Sequence, residues 1–174
     1  MLKRCNILLT CFIIIALCFL ASGCGAGTVF DKTTGASLEF PLEADGYPRE
    51  GVALINGETF ELKNYGNIYH GETGEGRLSV KAEGGVLEIA VANGGAVTGW
   101  RVSDNVGLQS CSEYEPESVN DIKDGASGVV QRFVLRVPSE RTEIVLKHIN
   151  TLSAAGKTFD ELEYDYQLII TVEP

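Results

Sequence analysis

The sequence predicts an all-β, antiparallel domain, and three observations carry that prediction. Apolar and polar residues alternate with a period of two in segment after segment. Glycine-rich turns separate those segments. No window of a dozen residues carries a helical apolar stripe. Seven to nine short strands are expected, arranged as a sandwich or a barrel, with the sandwich preferred.

The strands follow in order along the chain. Leu38, Phe40 and Leu42 alternate with Ser37, Glu39 and Pro41, and the proline assigns this segment to a sheet edge. Phe60 and Leu62 alternate with Glu61 and Lys63. Leu78 and Val80 continue the pattern, followed by Leu87, Ile89 and Val91 against Glu88. Phe133, Leu135 and Val137 come next, and then Ile144, Leu146 and His148 against Lys147. The clearest alternation is the last: Tyr164, Tyr166, Leu168, Ile170 and Val172 on one face, Asp165, Gln167 and Thr171 on the other. Asn56-Gly57, Tyr65-Gly66-Asn67, the stretch 71–76, Gly84-Gly85 and Gly94-Gly95 supply turn chemistry between them. The polar stretch 113–124 reads as a loop or a helical turn.

The N-terminus has its own logic. Lys3 and Arg4 precede an apolar run over residues 7–21, and Ser22-Gly23-Cys24 closes it. A run of fifteen residues, broken only by Thr10, is short for a helix crossing a core of about 30 Å, and small residues rather than charges end it. That is the layout of a secretory signal. An ordinary secretory signal or an uncleaved anchor are the alternatives, and all three put the domain outside the cytoplasm. Leu20-Ala21-Ser22-Gly23-Cys24 also resembles the bacterial lipobox, which implies a signal peptide over 1–23 and a lipid on Cys24. A short linker, 24–36, would then lead into a domain over 37–174. Cleavage before Cys24 leaves 151 of the 174 residues, enough for one core. The expected location is exported and lipid-anchored, on the outer side of the cytoplasmic membrane or at the outer membrane.

Charge and cysteine content narrow the functions. Loss of Lys3 and Arg4 takes the formal charge from −10 to −12, which repels phosphate backbones, so no nucleic-acid partner is expected. It also leaves any membrane attachment to the lipid on Cys24. With Cys24 alkylated, Cys111 is the only thiol beyond the signal, so no internal disulfide forms. No basic neighbour in sequence activates Cys111, which reads as a buried or idle thiol. His70 and His148 have no partner at metal-ligand spacing and read as surface histidines. No zinc, calcium or nucleophile-elbow motif is present. Glu113, Glu115 and Glu117, and the group Asp160, Glu161, Glu163 and Asp165, read as solvated acidic faces. No metal, no cofactor and no catalytic set is expected.

One pattern points to a function. Leu87-Glu88-Ile89-Ala90-Val91 leads to Thr98-Gly99-Trp100, and Gly125-Ala126-Ser127-Gly128 precedes a strand over 131–137. A strand ending in Ile144-Val145-Leu146-Lys147-His148 follows, then the loop Asn150-Thr151-Leu152 and a final long strand. This order over residues 86–174 resembles the chagasin-like inhibitors of papain-family cysteine proteases. The resemblance implies an immunoglobulin-like sandwich whose three loops fill the protease cleft as a wedge. Thr98, Gly99 and Trp100 would belong to the first loop, Gly125, Ala126, Ser127 and Gly128 to the second, and Asn150, Thr151 and Leu152 to the third. Two departures stand out: Gly95-Ala96-Val97 replaces the family's Asn-Pro-Thr, and no Arg-Pro-Trp occurs at the third loop. Read without the resemblance, Thr98-Gly99-Trp100 is a turn glycine before a core tryptophan, and 125–128 is a hairpin loop. The alternative function is a non-catalytic surface lipoprotein, a binding or structural module using other loops such as 65–76.

Overall fold

The computed structural model describes residues 25–104, 106–119 and 126–173. Eleven strands run through them: β1 (Gly25–Phe30), β2 (Ser37–Leu42), β3 (Val52–Ile55), β4 (Glu58–Glu61), β5 (Gly74–Lys81), β6 (Val86–Gly95), β7 (Thr98–Val102), β8 (Gly107–Pro116), β9 (Ala126–Arg136), β10 (Thr142–Asn150) and β11 (Tyr166–Glu173). A short 3₁₀ helix, Tyr65–His70, is the helical element among these residues. The all-β expectation holds. The strand count exceeds it because β1, β3, β7 and β8 are short, glycine-rich or polar, and alternation alone does not mark such segments.

The strands form two sheets. One has seven strands in the order β2-β1-β8-β9-β6-β3-β4, the other four in the order β5-β11-β10-β7. All pairings are antiparallel except β5 with β11, which run parallel from Tyr166↔Gly74 to Glu173↔Lys81. β2 is an edge strand, in keeping with Pro41, which has no N–H to give a further neighbour.

A single apolar core lies between the sheets. Ala53 and Ile55 of β3, Leu87, Ile89 and Val91 of β6, and Phe133 and Leu135 of β9 meet Trp100, Ile144, Leu146, Tyr166, Leu168, Ile170 and Val172 from the other sheet. The predicted alternations of β6, β9, β10 and β11 point inward, whereas Leu38, Phe40 and Leu42 face a second cluster and Tyr164, ahead of β11, packs with Phe159 and Leu162 on the outer side. The other faces of β3, β6 and β9 are buried too. Val52 of β3, Ala90 and Ala92 of β6 and Val130 of β9 pack on Val29 of β1, Phe40 of β2 and Tyr114 of β8. The seven-stranded sheet curls to allow this: Arg49 N–H donates to the Pro41 carbonyl, and Leu42 bridges Pro48, bringing β2 round toward β3. β1 falls inside the segment expected to be a linker. Val29, fully buried, gives it a packing role that its glycines conceal.

Turn chemistry is where the sequence placed it at two hairpin positions. Asn56 and Gly57 both have positive φ, as the two-residue turn between β3 and β4 requires, and Gly84 and Gly85 do the same before β6. Gly74 and Gly76, expected in a turn, lie in β5 instead. A Cβ on Gly74 would stand 2.5 Å from the Tyr166 ring, so the glycines make room for that side chain. Residues 113–116, expected in a loop or a helical turn, complete β8.

Candidate functional site

The described parts of the three segments singled out in the sequence lie side by side at one end of the two sheets. β6 and β7 are joined by the hairpin at Ala96-Val97, β9 begins at Ala126, and β10 ends at Asn150. Gly95 pairs with Ala126, which places the start of β9 beside the first hairpin. Thr98 pairs with Asn150, and the Thr151 N–H and hydroxyl both donate to the Val97 carbonyl, at 2.9 and 3.0 Å. Gly125 and Cys24 lie outside the described residues.

Side-chain bonds hold the first hairpin rigid without proline. Thr98 Oγ1 donates to Asn93 Oδ1 at 2.6 Å, Asn93 Nδ2 donates to the Thr98 carbonyl at 2.8 Å, and the Gly95 N–H donates to Thr98 Oγ1. Asn93 is buried. Its amide supplies both the donor and the acceptor that a five-residue reversal leaves unmet. Gly99 is buried between strands: an added Cβ would stand 3.2 Å from Thr151 Cγ2. Gly128 has φ +63°, and its missing side chain makes room for the Tyr47 ring.

The third loop is shaped in the same way. Asn150 Oδ1 accepts the N–H groups of Leu152 and Ser153, and Ser153 Oγ donates back to the Asn150 carbonyl. An asparagine turn of this kind replaces the conformational restriction that proline would bring. Leu152 is 74% exposed and Val97 46% exposed, so the tips of the first and third loops present apolar side chains to solvent.

Trp100 is not on that surface. It is 2% exposed, donates its indole N–H to the Ala92 carbonyl at 2.9 Å, and receives its backbone support from Gln131, whose Oε1 accepts the Trp100 N–H at 2.7 Å. It underpins the loops from the core, in line with the reading of this residue as a core tryptophan. Around it stand Tyr65, Tyr166 and His148, with ring centroids 5.2 Å apart for Trp100 and His148. His148 is thus a buried residue, 4% exposed, rather than the surface histidine expected. It points with Ile144 and Leu146 into the core between the sheets, while the 151–165 segment covers the opposite face of β10. His70 is exposed.

A cleft of about 470 Å³ opens beside the loops, between the 43–50 segment and the residues Asn93, Gly94 and Gly128. Glu50 occupies its inner wall and accepts the hydroxyls of Tyr69 at 2.7 Å and Tyr65 at 3.3 Å. Its carboxylate lies so close over Gly94 that a Cβ there would collide with it. Sequence reading missed this wall, along with Asn93 and Gln131. The Gly94-Gly95 pair was the one signal for it, since a glycine in a strand marks close approach by another group.

The 65–76 segment is not a free loop. Tyr65 is buried in the aromatic cluster, and Gly71 closes the 3₁₀ helix with φ +72°. Cys111 is surface-exposed on β8, with its thiol pushed upward by desolvation and by Glu113. Among the described residues no group of three or more His, Cys, Asp or Glu side chains is placed to hold a metal ion, and no helix is long and apolar enough to cross a membrane. The chain matches no family model, no curated protein and no solved structure.

Proposed function

We propose that this chain is an exported, lipid-anchored domain of immunoglobulin-like type that blocks the cleft of a papain-like cysteine protease with the loops at one end. One observation carries the reading. The first and third loops and the start of β9 lie together, tied by the Gly95–Ala126 pair and by the Thr151–Val97 bonds. Rigid loops lose little entropy on docking, and exposed apolar tips supply the contact area. Here asparagine and threonine side chains do the stiffening that proline does in the inhibitors this chain resembles. Leu152 would serve as the apolar anchor of the third loop. Inhibition needs no bond-making by this chain: the loops occupy the substrate groove and exclude the peptide.

The test is a titration of papain-family proteases with the protein, measuring residual hydrolysis of a small peptide substrate. Inhibition that weakens at least tenfold in Leu152→Asp, with unchanged thermal stability, is the expected result. A panel of such proteases left fully active at high micromolar inhibitor would overturn the reading. The lipid anchor is tested separately. Labelled fatty acid should enter the wild-type protein and not Cys24→Ala.

A second reading, a non-catalytic binding module of the cell surface, is favoured by the burial of Trp100. With its ring in the core, Trp100 gives the loop end no aromatic anchor, and the cleft lined by Glu50 and Tyr69 offers a concave surface beside it.

A further inference from the structure

Both ring nitrogens of His148 are buried, and neither has a hydrogen-bond partner. A native fold rarely leaves such a group unpaired, and a role for the residue is a reason to tolerate it. His148 lies across from Trp100 on β7 and from Tyr166 on β11, immediately below the loop end. Two residues further along β10, Asn150 begins the third loop.

The charged and titratable groups around it are few. From β11 comes Tyr166, and just before that strand Asp165, whose Oδ2 stands 3.8 Å from His148 Nδ1. From the 3₁₀ helix comes Tyr65, with Tyr69 behind it. Both phenols donate to Glu50, the carboxylate on the far side. β7 contributes the uncharged Trp100. Lys147, next to it on β10, is turned to the opposite face, where its ammonium donates to the Phe159 carbonyl. Burial pushes the Tyr166 phenol up to about 12, and those of Tyr65 and Tyr69 higher still, so all three stay neutral in acid. Burial also holds the imidazole below its ordinary 6.5, with Asp165 and then Glu50 pulling the other way.

We propose that His148 is a proton switch for the loop end: on acidification its imidazolium swings toward Asp165 and loosens the Thr151–Val97 link. A protonated ring has two donors and, within the aromatic cluster, nothing to receive them. The Asp165 carboxylate, 3.8 Å away, is within reach of the ring and its side chain is 57% exposed, so it offers both a partner and contact with water. Closing 3.8 Å to a charge-assisted bond of about 2.8 Å moves the ring by roughly an ångström. That shift is transmitted along β10, where Ile149 pairs with Gly99 and Asn150 with Thr98. The inference concerns the loop end itself and holds whichever partner those loops meet.

The test uses the protein's single tryptophan and needs no protease. Between pH 7.5 and 4.5, Trp100 fluorescence should change and the exchange protection of the Thr151 amide should fall at least tenfold. Both should share a midpoint below 6.5, the midpoint at which the His148 ring protons titrate by NMR. Asp165→Asn should lower that midpoint, His148→Phe should abolish both transitions, and His70→Gln should change neither. Thr151 protection that stays constant after correction for intrinsic exchange would overturn the proposal. So would ring titration at a different midpoint in the wild-type protein, a reading that does not depend on any variant folding.

Discussion

The Thr151 amide and hydroxyl converge on one acceptor, the carbonyl oxygen of Val97, at 2.9 and 3.0 Å. This pairing crosses from the third loop to the first and fixes their spacing. The Thr151 methyl group sits over Gly99, where an added Cβ would approach it to 3.2 Å. A contact that tight forces one side to yield.

The first prediction follows from that contact. Gly99→Ala should destabilise the domain by about 1 kcal/mol, and Thr151→Ser, which removes the methyl group and keeps the hydroxyl, should recover most of the loss in the double variant. Urea unfolding of the four proteins of this cycle measures the coupling. Additive effects would show that the strain lies elsewhere.

A second pair makes a sharper steric claim. A Cβ on Gly76 would collide with the Tyr166 hydroxyl, which donates to the Lys63 carbonyl at 2.7 Å. Tyr166 is fully buried and cannot swing aside. Gly76→Ala should cost about 1–3 kcal/mol, with partial rescue by Tyr166→Phe, because the hydroxyl is the colliding atom. Thermal unfolding of both variants and the pair decides it.

How far the sequence foretold this architecture depends on what each residue's neighbours are. The inward faces of β6, β9, β10 and β11 were legible, because Leu87, Ile89, Phe133, Leu135, Leu168 and Ile170 obey a period of two. Period two describes only one face of a strand. The second layer over Ala90, Ala92 and Val130 comes from β1 and β2, a long-range packing that no local pattern encodes. β8 was hidden for a different reason: Gln109, Ser110, Cys111 and Glu113 are solvent-exposed, so pairing with β9 rather than apolar burial makes it a strand. At the loop end Thr98, Gly99 and Trp100 belong to β7 and residues 126–128 to β9, next to the reversals rather than within them, and only 150–152 lead into a turn. The sequence could not show that Trp100 faces inward or that Asn93 and Gln131 brace the backbone, since these depend on atoms brought together from separate strands. His148 was misjudged because it closes a strand and has no ligand partner in sequence, although it shares the inward face of Ile144 and Leu146, where Trp100 and Tyr65 enclose it.

Acid should weaken the fold through His148. Its folded-state pKa is lowered by burial, while the unfolded chain titrates near 6.5. Between those two values the unfolded state binds more protons, so stability rises with pH across that window and is fully present above it. The unfolding free energy of the wild-type protein should therefore fall as pH drops below about 6.5 and level off, for this group, below the folded pKa. In His148→Phe the slope over the same range should be shallower. Equal slopes in the two proteins would assign the acid sensitivity to other groups.

Lys147 gives the last prediction. It is buried on the outer face of β10, where its ammonium donates to the Phe159 carbonyl at 2.9 Å and lies 4.6 Å from the Phe159 ring centre and 5.2 Å from that of Tyr164. Phe159 and Leu162 pack with Ile149 beneath it, so one cation holds the 151–165 segment onto the sheet by its carbonyls and its aromatic faces. Lys147→Met keeps the length and apolar stem and deletes the charge. It should cost about 1–3 kcal/mol, the range for losing a buried charged hydrogen bond and leaving its acceptor unmet. The damage should be local first: proteolysis under native conditions should begin to cut within 151–165 while the two sheets stay intact. Lys147→Arg should not restore protection, because a planar guanidinium cannot point one compact donor at the Phe159 and Leu162 carbonyls, 2.9 and 3.5 Å from the ammonium, from between two rings. A Met variant as resistant to cleavage in that segment as the wild type would show that apolar packing alone holds it down.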